Sequence, residues 1–140
     1  REITSPNGLA FGSDGALYVA DTFQNRVVRM EESDDGTLTT PEIYASGLGL
    51  PDGIAFDDNG DLFVAGAGQI WVVVPEEAPD ARPFTTTGAL DGPASLAFGF
   101  GTNRDRSRLY FTNFGYPVIG SGTTVASVKV GISGAKLFAP

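Results

Sequence analysis

A short pattern recurs three times in this chain. It reads Ser5-Pro6-Asn7-Gly8-Leu9-Ala10-Phe11, then Leu50-Pro51-Asp52-Gly53-Ile54-Ala55-Phe56, then more loosely Gly92-Pro93-Ala94-Ser95-Leu96-Ala97-Phe98. The prolines stand 45 and 42 residues apart, a period that belongs to solenoids and propellers. Period alone does not separate helical repeats from propeller blades, but local pattern does. The chain carries 19 Gly and 9 Pro, its apolar runs are short and bounded by turn residues, and no window sustains a 3.6-residue periodicity. That is the pattern of an all-β chain of short strands.

Each unit divides into four such strands. They are expected near Leu9–Phe11, Leu17–Ala20, Arg26–Met30 and Glu42–Ala45, then near Ile54–Phe56, Leu62–Ala65, Gln69–Val74 and Arg82–Thr86. The third set falls near Leu96–Phe98, Leu109–Thr112, Ala126–Val130 and Lys136–Ala139. Ser13-Asp14-Gly15 and Asp58-Asn59-Gly60 supply hairpin residues that accept positive φ cheaply. Four antiparallel strands per repeat make a β-propeller blade, so the expected blades span residues 5–47, 50–88 and 92–139. Three blades do not close a ring, since propellers have roughly 4–8. The expectation is therefore half of a six-bladed propeller, completed by N-terminal blades outside this sequence or by a second copy.

Absences narrow the chemistry. With no Cys and no His, thiol nucleophiles, Ser-His-Asp catalysis and His- or Cys-based zinc sites are excluded. A metal held by side chains here must take oxygen ligands, which favours Ca²⁺, Mg²⁺ or Mn²⁺. A net charge of −8 disfavours nucleic acid and anionic membranes as partners. The run Ile70-Trp71-Val72-Val73-Val74 is too short to span a bilayer, and Arg1-Glu2-Ile3-Thr4 has no signal-peptide core. A soluble protein is expected, cytoplasmic or secreted.

Blade topology places the special residues. In a four-stranded meander the connections before the first strand and between the second and third lie at one end. Asn7 and Asp52 immediately precede the channel-lining strand and should project into one mouth, shared with loops 21–25, 66–68 and 113–124. The charged insertion 103–108 belongs on the opposite face. Pro-Asn-Gly and Pro-Asp-Gly are also ordinary turn sequences, with Gly supplying unusual φ. Against that reading stands their position at the axis, where an Asp without a cation faces desolvation.

Other candidates read as structural. Asp57-Asp58-Asn59-Gly60-Asp61 only superficially resembles a calcium loop and is expected to be a hairpin turn. Gly120-Ser121-Gly122 opens no helix and is not a phosphate loop. Arg104, Arg106 and Arg108 suit a solvated turn, Trp71 suits the core between blades, and Asp21 suits a turn-stabilising role.

The Pro-Asn-Gly-Leu-Ala-Phe and Pro-Asp-Gly-Ile-Ala-Phe segments resemble the gluconolactonase/regucalcin family (senescence marker protein and luciferin-regenerating enzyme relatives). So do Leu17-Tyr18-Val19-Ala20-Asp21-Thr22, Gly60-Asp61-Leu62-Phe63-Val64-Ala65 and the ending Val130-Gly131-Ile132-Ser133-Gly134. NHL-type propellers share the strand pattern and supply the alternative, a non-enzymatic binding scaffold. The resemblance implies a six-bladed propeller acting as a lactone or ester hydrolase, with one divalent metal at the channel mouth. Ca²⁺ is the first choice, with Zn²⁺, Mg²⁺ or Mn²⁺ as the others. Asn7 and Asp52 match two of the family's ligands, and a family Glu ligand has no counterpart in these blades. The resemblance further implies that Asp52 serves as catalytic base, and Phe114, Tyr116 and Pro117 are expected to shape substrate access. The third copy has Ala94 at the ligand position.

Overall fold

The first repeat folds as an antiparallel meander of β1 (Pro6–Phe11), β2 (Leu17–Asp21), β3 (Arg26–Met30) and β4 (Glu42–Ser46). The second repeats it with β5 (Ile54–Phe56), β6 (Leu62–Gly66), β7 (Gln69–Val73) and β8 (Arg82–Pro83). The third contains β9 (Pro93–Phe98), β10 (Arg108–Asn113) and β11 (Thr124–Lys129), paired in that order. The structure, a computed structural model, describes residues 2–84, 90–101, 103–114 and 124–135. The strand expected at 136–139 lies outside the described residues. The charged insertion departs from pure β structure: Asn103–Arg106 forms a single-turn helix, α1.

Alternation along the strands explains how the blades stack. In blade 1, Tyr18, Ala20, Val27 and Ala45 face blade 2 and join Ile54, Phe56, Leu62 and Val64 in one buried cluster. Tyr18 meets Tyr44 and Phe56 edge-on, with ring centroids 4.8 Å apart in each pair, a favoured aromatic geometry. Phe63, Ile70 and Val72 face the other way and pack with Leu109 and Phe111 of blade 3. Blade 2 is thus covered on both faces. That is why Leu62-Phe63-Val64-Ala65-Gly66 is buried at every position, whereas β10 alternates. Trp71 packs against the blade 1–blade 2 cluster, as expected.

The outer face of blade 1 is different. Register aligns Leu9 with Val19, Val28 and Ile43, and Phe11 with Leu17 and Met30. Leu9 and Phe11 remain 63% and 56% exposed, so this face is apolar and only partly covered.

The Pro-x-Gly segments are not the turns their sequence suggests. Pro6-Asn7-Gly8 is the bulged start of β1, and neither Gly8 nor Gly53 has positive φ. Their glycines serve close approach instead. Gly8 N donates to Asp52 O at 3.0 Å and Gly53 N to Ala94 O at 2.8 Å, so each blade's inner segment is bonded to the next. A Cβ on Gly8 would collide with the Asp52 carbonyl, and one on Gly53 with the Ala94 carbonyl and Ser95 Cα. Backbone obstructs here, so relief requires moving a blade. Gly53→Ala is expected to destabilise the complete propeller by about 1–3 kcal/mol, measured by urea denaturation.

The far end of the blades is tied separately. Asp57 Oδ1 accepts from Asn59 N at 2.9 Å and Asp61 N at 3.0 Å, and Gly60 has φ 88°. The acidic run is therefore a hairpin turn, as its sequence suggests. Arg106 is not merely solvated: its Nη2 reaches Asp58 Oδ2 at 3.1 Å and Gly134 O at 3.2 Å. Asp58 N also donates to Ser133 O at 2.7 Å and Ala135 N to Phe56 O at 3.0 Å, fastening residues 133–135 to blade 2.

A candidate active site at one mouth

The connections that topology assigns to one end do converge. A pocket of about 210 Å³ is lined by Thr22, Phe23, Leu50, Asp52, Gly66, Ala67, Gly92, Pro93, Ala94 and Phe114. These residues lie in or just before the start of an inner strand, or at or just after the end of a blade's second strand. Phe114, expected at the entrance, is 59% exposed and anchored by its N–H on Gly92 O at 2.9 Å. Tyr116 and Pro117 lie outside the described residues.

Asp52 is held by backbone on both sides. Its N–H donates to Ala65 O at 2.8 Å and its carbonyl accepts from Gly8. The half-buried carboxylate has no hydrogen bond or ion pair among the described residues. Burial accordingly raises its pKa above the usual carboxylate range.

Asn7 lies outside the pocket lining, one step away. Its Nδ2 donates to Thr22 Oγ1 at 3.4 Å, and that hydroxyl donates to Pro51 O at 2.8 Å. The chain Asn7–Thr22–Pro51 links the first ligand candidate to the segment carrying the second. It uses the amide nitrogen of Asn7 and leaves Oδ1 without a hydrogen bond among the described residues. Two oxygen donors, one charged and without a protein partner, fit a hard divalent cation. Among the described residues no group of three or more acidic side chains gathers around a metal position, so Asn7 and Asp52 would be part of a ligand set.

Asp21 is structural. It is fully buried. Oδ1 accepts from Ser5 N at 2.9 Å and Ser5 Oγ at 2.8 Å, with longer bonds from Thr4. Oδ2 accepts from Arg26 Nε at 3.0 Å and Nη2 at 2.7 Å. Burial opposes its charge, but the bonds from Arg26, Ser5 and Thr4 outweigh that and hold its pKa below the usual range.

The same position in blade 3 is Asn113, unnoticed in the sequence because its blade has a different turn. Asn113 Oδ1 accepts from Asp91 N at 3.2 Å. In blade 2 the position is Gly66, where the Gly49 carbonyl presses against the missing side chain. In blades 1 and 3 the residue ending the second strand therefore secures the segment that leads into the inner strand, whereas in blade 2 Gly66 leaves room for Gly49 and Ala67 N donates to Gly49 O at 2.7 Å. Thr22 and Phe23 belong to the loop 21–25 that topology places at this mouth, and Leu50 opens the second repeat, but no individual role for them was legible in the sequence.

The chain matches the SMP-30/gluconolactonase/LRE-like region family over residues 1–114, and it belongs to that family. No curated protein sequence matches it. Among solved structures it is similar to a provisionally assigned gluconolactonase, at 22% identity and a TM-score of 0.74, covering 98% of this chain and 42% of that one. It is likewise similar to a luciferin-regenerating enzyme, at 23% identity and a TM-score of 0.74, covering 95% and 48%. A gluconolactonase from Xanthomonas campestris is 27% identical, with a TM-score of 0.62, covering 81% and 36%. The chain thus spans less than half the length of each of these structures. Among the described residues no helix is long and apolar enough to cross a membrane.

Proposed function

We propose that these blades form part of a metal-dependent hydrolase of lactones or related esters, with its reaction centre at the mouth around Asp52. The observation that carries this reading is the half-buried Asp52 carboxylate, which has no protein partner among the described residues and sits in the pocket of a chain from a gluconolactonase-type family. A carboxylate kept partly out of water and unpaired is costly unless a cation or a proton meets it.

Asn7 Oδ1 and Asp52 would hold the divalent ion, Ca²⁺ by preference, together with donors from the rest of the propeller. When bound, the ion supplies Lewis acidity toward the substrate carbonyl and raises the acidity of water. Asp52 accepts a proton from the water that adds to the acyl carbon. The ring C–O bond then breaks, the departing ring oxygen takes the proton back from Asp52, and the lactone leaves as a hydroxy acid. Asn7, neutral, adds no negative charge to the centre. Thr22 fixes the Asn7 amide through its nitrogen.

Further blades of the same propeller complete the ring in this reading, covering the apolar outer face of Leu9, Phe11 and Ile43 and bringing the remaining ligands. The test is hydrolysis of sugar and aliphatic lactones by the complete protein. Activity is expected to disappear on treatment with a chelator and to return with Ca²⁺. Full activity in the metal-stripped protein would overturn the proposal.

A further inference from the structure

The pocket beside Asp52 has little to offer a polyhydroxylated substrate. Of the ten described residues that line it, only Thr22 and Asp52 have polar side chains. The single hydroxyl proton of Thr22 is already donated to Pro51 O at 2.8 Å, and its oxygen also receives Asn7 Nδ2. The carbonyls of Gly92 and Ala94 already accept from Phe114 and Gly53. What remains is apolar: Phe23, Leu50, Ala67, Pro93, Ala94 and Phe114.

Two of these are large rings held open to solvent. Phe23 is 74% exposed and Phe114 is 59% exposed, yet each is anchored through its backbone. Phe23 N donates to Ser5 Oγ at 2.7 Å and Phe114 N to Gly92 O at 2.9 Å. Leu50 adds an independent sign. Its φ is 47°, a left-handed conformation that a branched side chain rarely adopts. It is held there by Asn25 Oδ1, which accepts from Leu50 N at 2.9 Å. Glycine would relax this position, yet a leucine stands there, and it is one of the lining residues. Backbone strain of this kind clusters at active sites and ligand clamps.

We infer that this mouth selects lactones or esters bearing an apolar alkyl or aryl substituent, seated among Phe23, Leu50 and Phe114, over polyhydroxylated sugar lactones. The inference rests on the hydrolase reading for its reaction but not for its binding specificity. Apolar surface gains from burying an alkyl chain, whereas sugar hydroxyls brought against these residues lose water without replacement.

The experiment uses the complete propeller and compares a pentyl-substituted δ-lactone with glucono-δ-lactone by kcat/KM. It also measures, by calorimetry, binding of the pentyl δ-lactam, which is not hydrolysed. The alkyl lactone is expected to be preferred by about tenfold or more. Phe114→Ser is expected to lower that preference ratio by about tenfold, while Phe114→Leu retains it. Because Phe114 is largely exposed, thermal melting of both variants should match the parent. If neither lactone is hydrolysed but the lactam binds and Phe114→Ser weakens it about tenfold, the specificity assignment stands and the hydrolase reading falls. Equal or better use of glucono-δ-lactone, a ratio unmoved by Phe114→Ser, or no lactam binding would overturn the inference.

Discussion

Asp52→Ala in the complete propeller is expected to reduce lactone hydrolysis by about 10²–10⁴-fold, with little loss of stability. The two halves of that expectation have one cause. The Asp52 carboxylate makes no hydrogen bond or ion pair among the described residues, while its backbone N–H and carbonyl hold adjoining segments together. Truncation therefore removes the proposed proton acceptor and cation ligand and leaves the scaffold bonds intact. Steady-state kinetics and a thermal melt measured side by side check it. A melt that falls along with activity would assign Asp52 to the scaffold.

Asp21→Ala is expected to do the reverse, with a stability loss of about 3–5 kcal/mol. Removing this fully buried carboxylate leaves the Arg26 guanidinium, whose side chain is only 13% exposed, without its counter-charge and with only the Glu2 carbonyl as acceptor, and leaves the N–H groups of Thr4 and Ser5 without theirs. Those residues lead directly into β1 and Asn7, so the ligand-bearing segment loosens as the blade weakens. The pH dependence follows from the lowered pKa of Asp21. An unfolded Asp titrates near about 3.9. The stability Asp21 contributes is thus fully present above that value and is lost as pH falls through its lower folded pKa. In urea denaturation followed from pH 6 down to pH 2, the parent should lose this increment in acid and Asp21→Ala should not. Identical acid profiles for the two proteins would contradict the role assigned to Asp21.

Much of the architecture was legible because a blade is a local object. Short apolar runs, hairpin residues such as Asp58-Asn59-Gly60 and a repeat near 42–45 residues specify strands and their order without long-range information. Blade topology likewise puts Asp52 and the loops around Thr22, Gly66 and Phe114 at one end, and these residues do line one pocket. What was not legible depends on contacts between blades. Gly8 and Gly53 looked like turn glycines; their purpose is to let neighbouring backbones touch, which no single repeat reveals. Arg106 looked like a solvated charge, and its partner Asp58 is 48 residues away. Asn113 hid because its counterparts are a carboxylate in blade 1 and a glycine in blade 2, where the tie is made by Ala67 N instead. The left-handed Leu50 could not be foreseen, since its sequence gives no sign of the Asn25 bond that holds it.

The most direct test of the account is calorimetric titration of Ca²⁺ into the metal-stripped complete propeller, its Asp52→Ala variant and its Asn7→Ala variant. The account predicts one bound cation per propeller, with affinity weakened by about tenfold or more in each variant. A parent protein that binds no divalent cation, or variants that bind it as tightly as the parent, would contradict a metal-dependent centre at this mouth and leave the propeller as a binding scaffold.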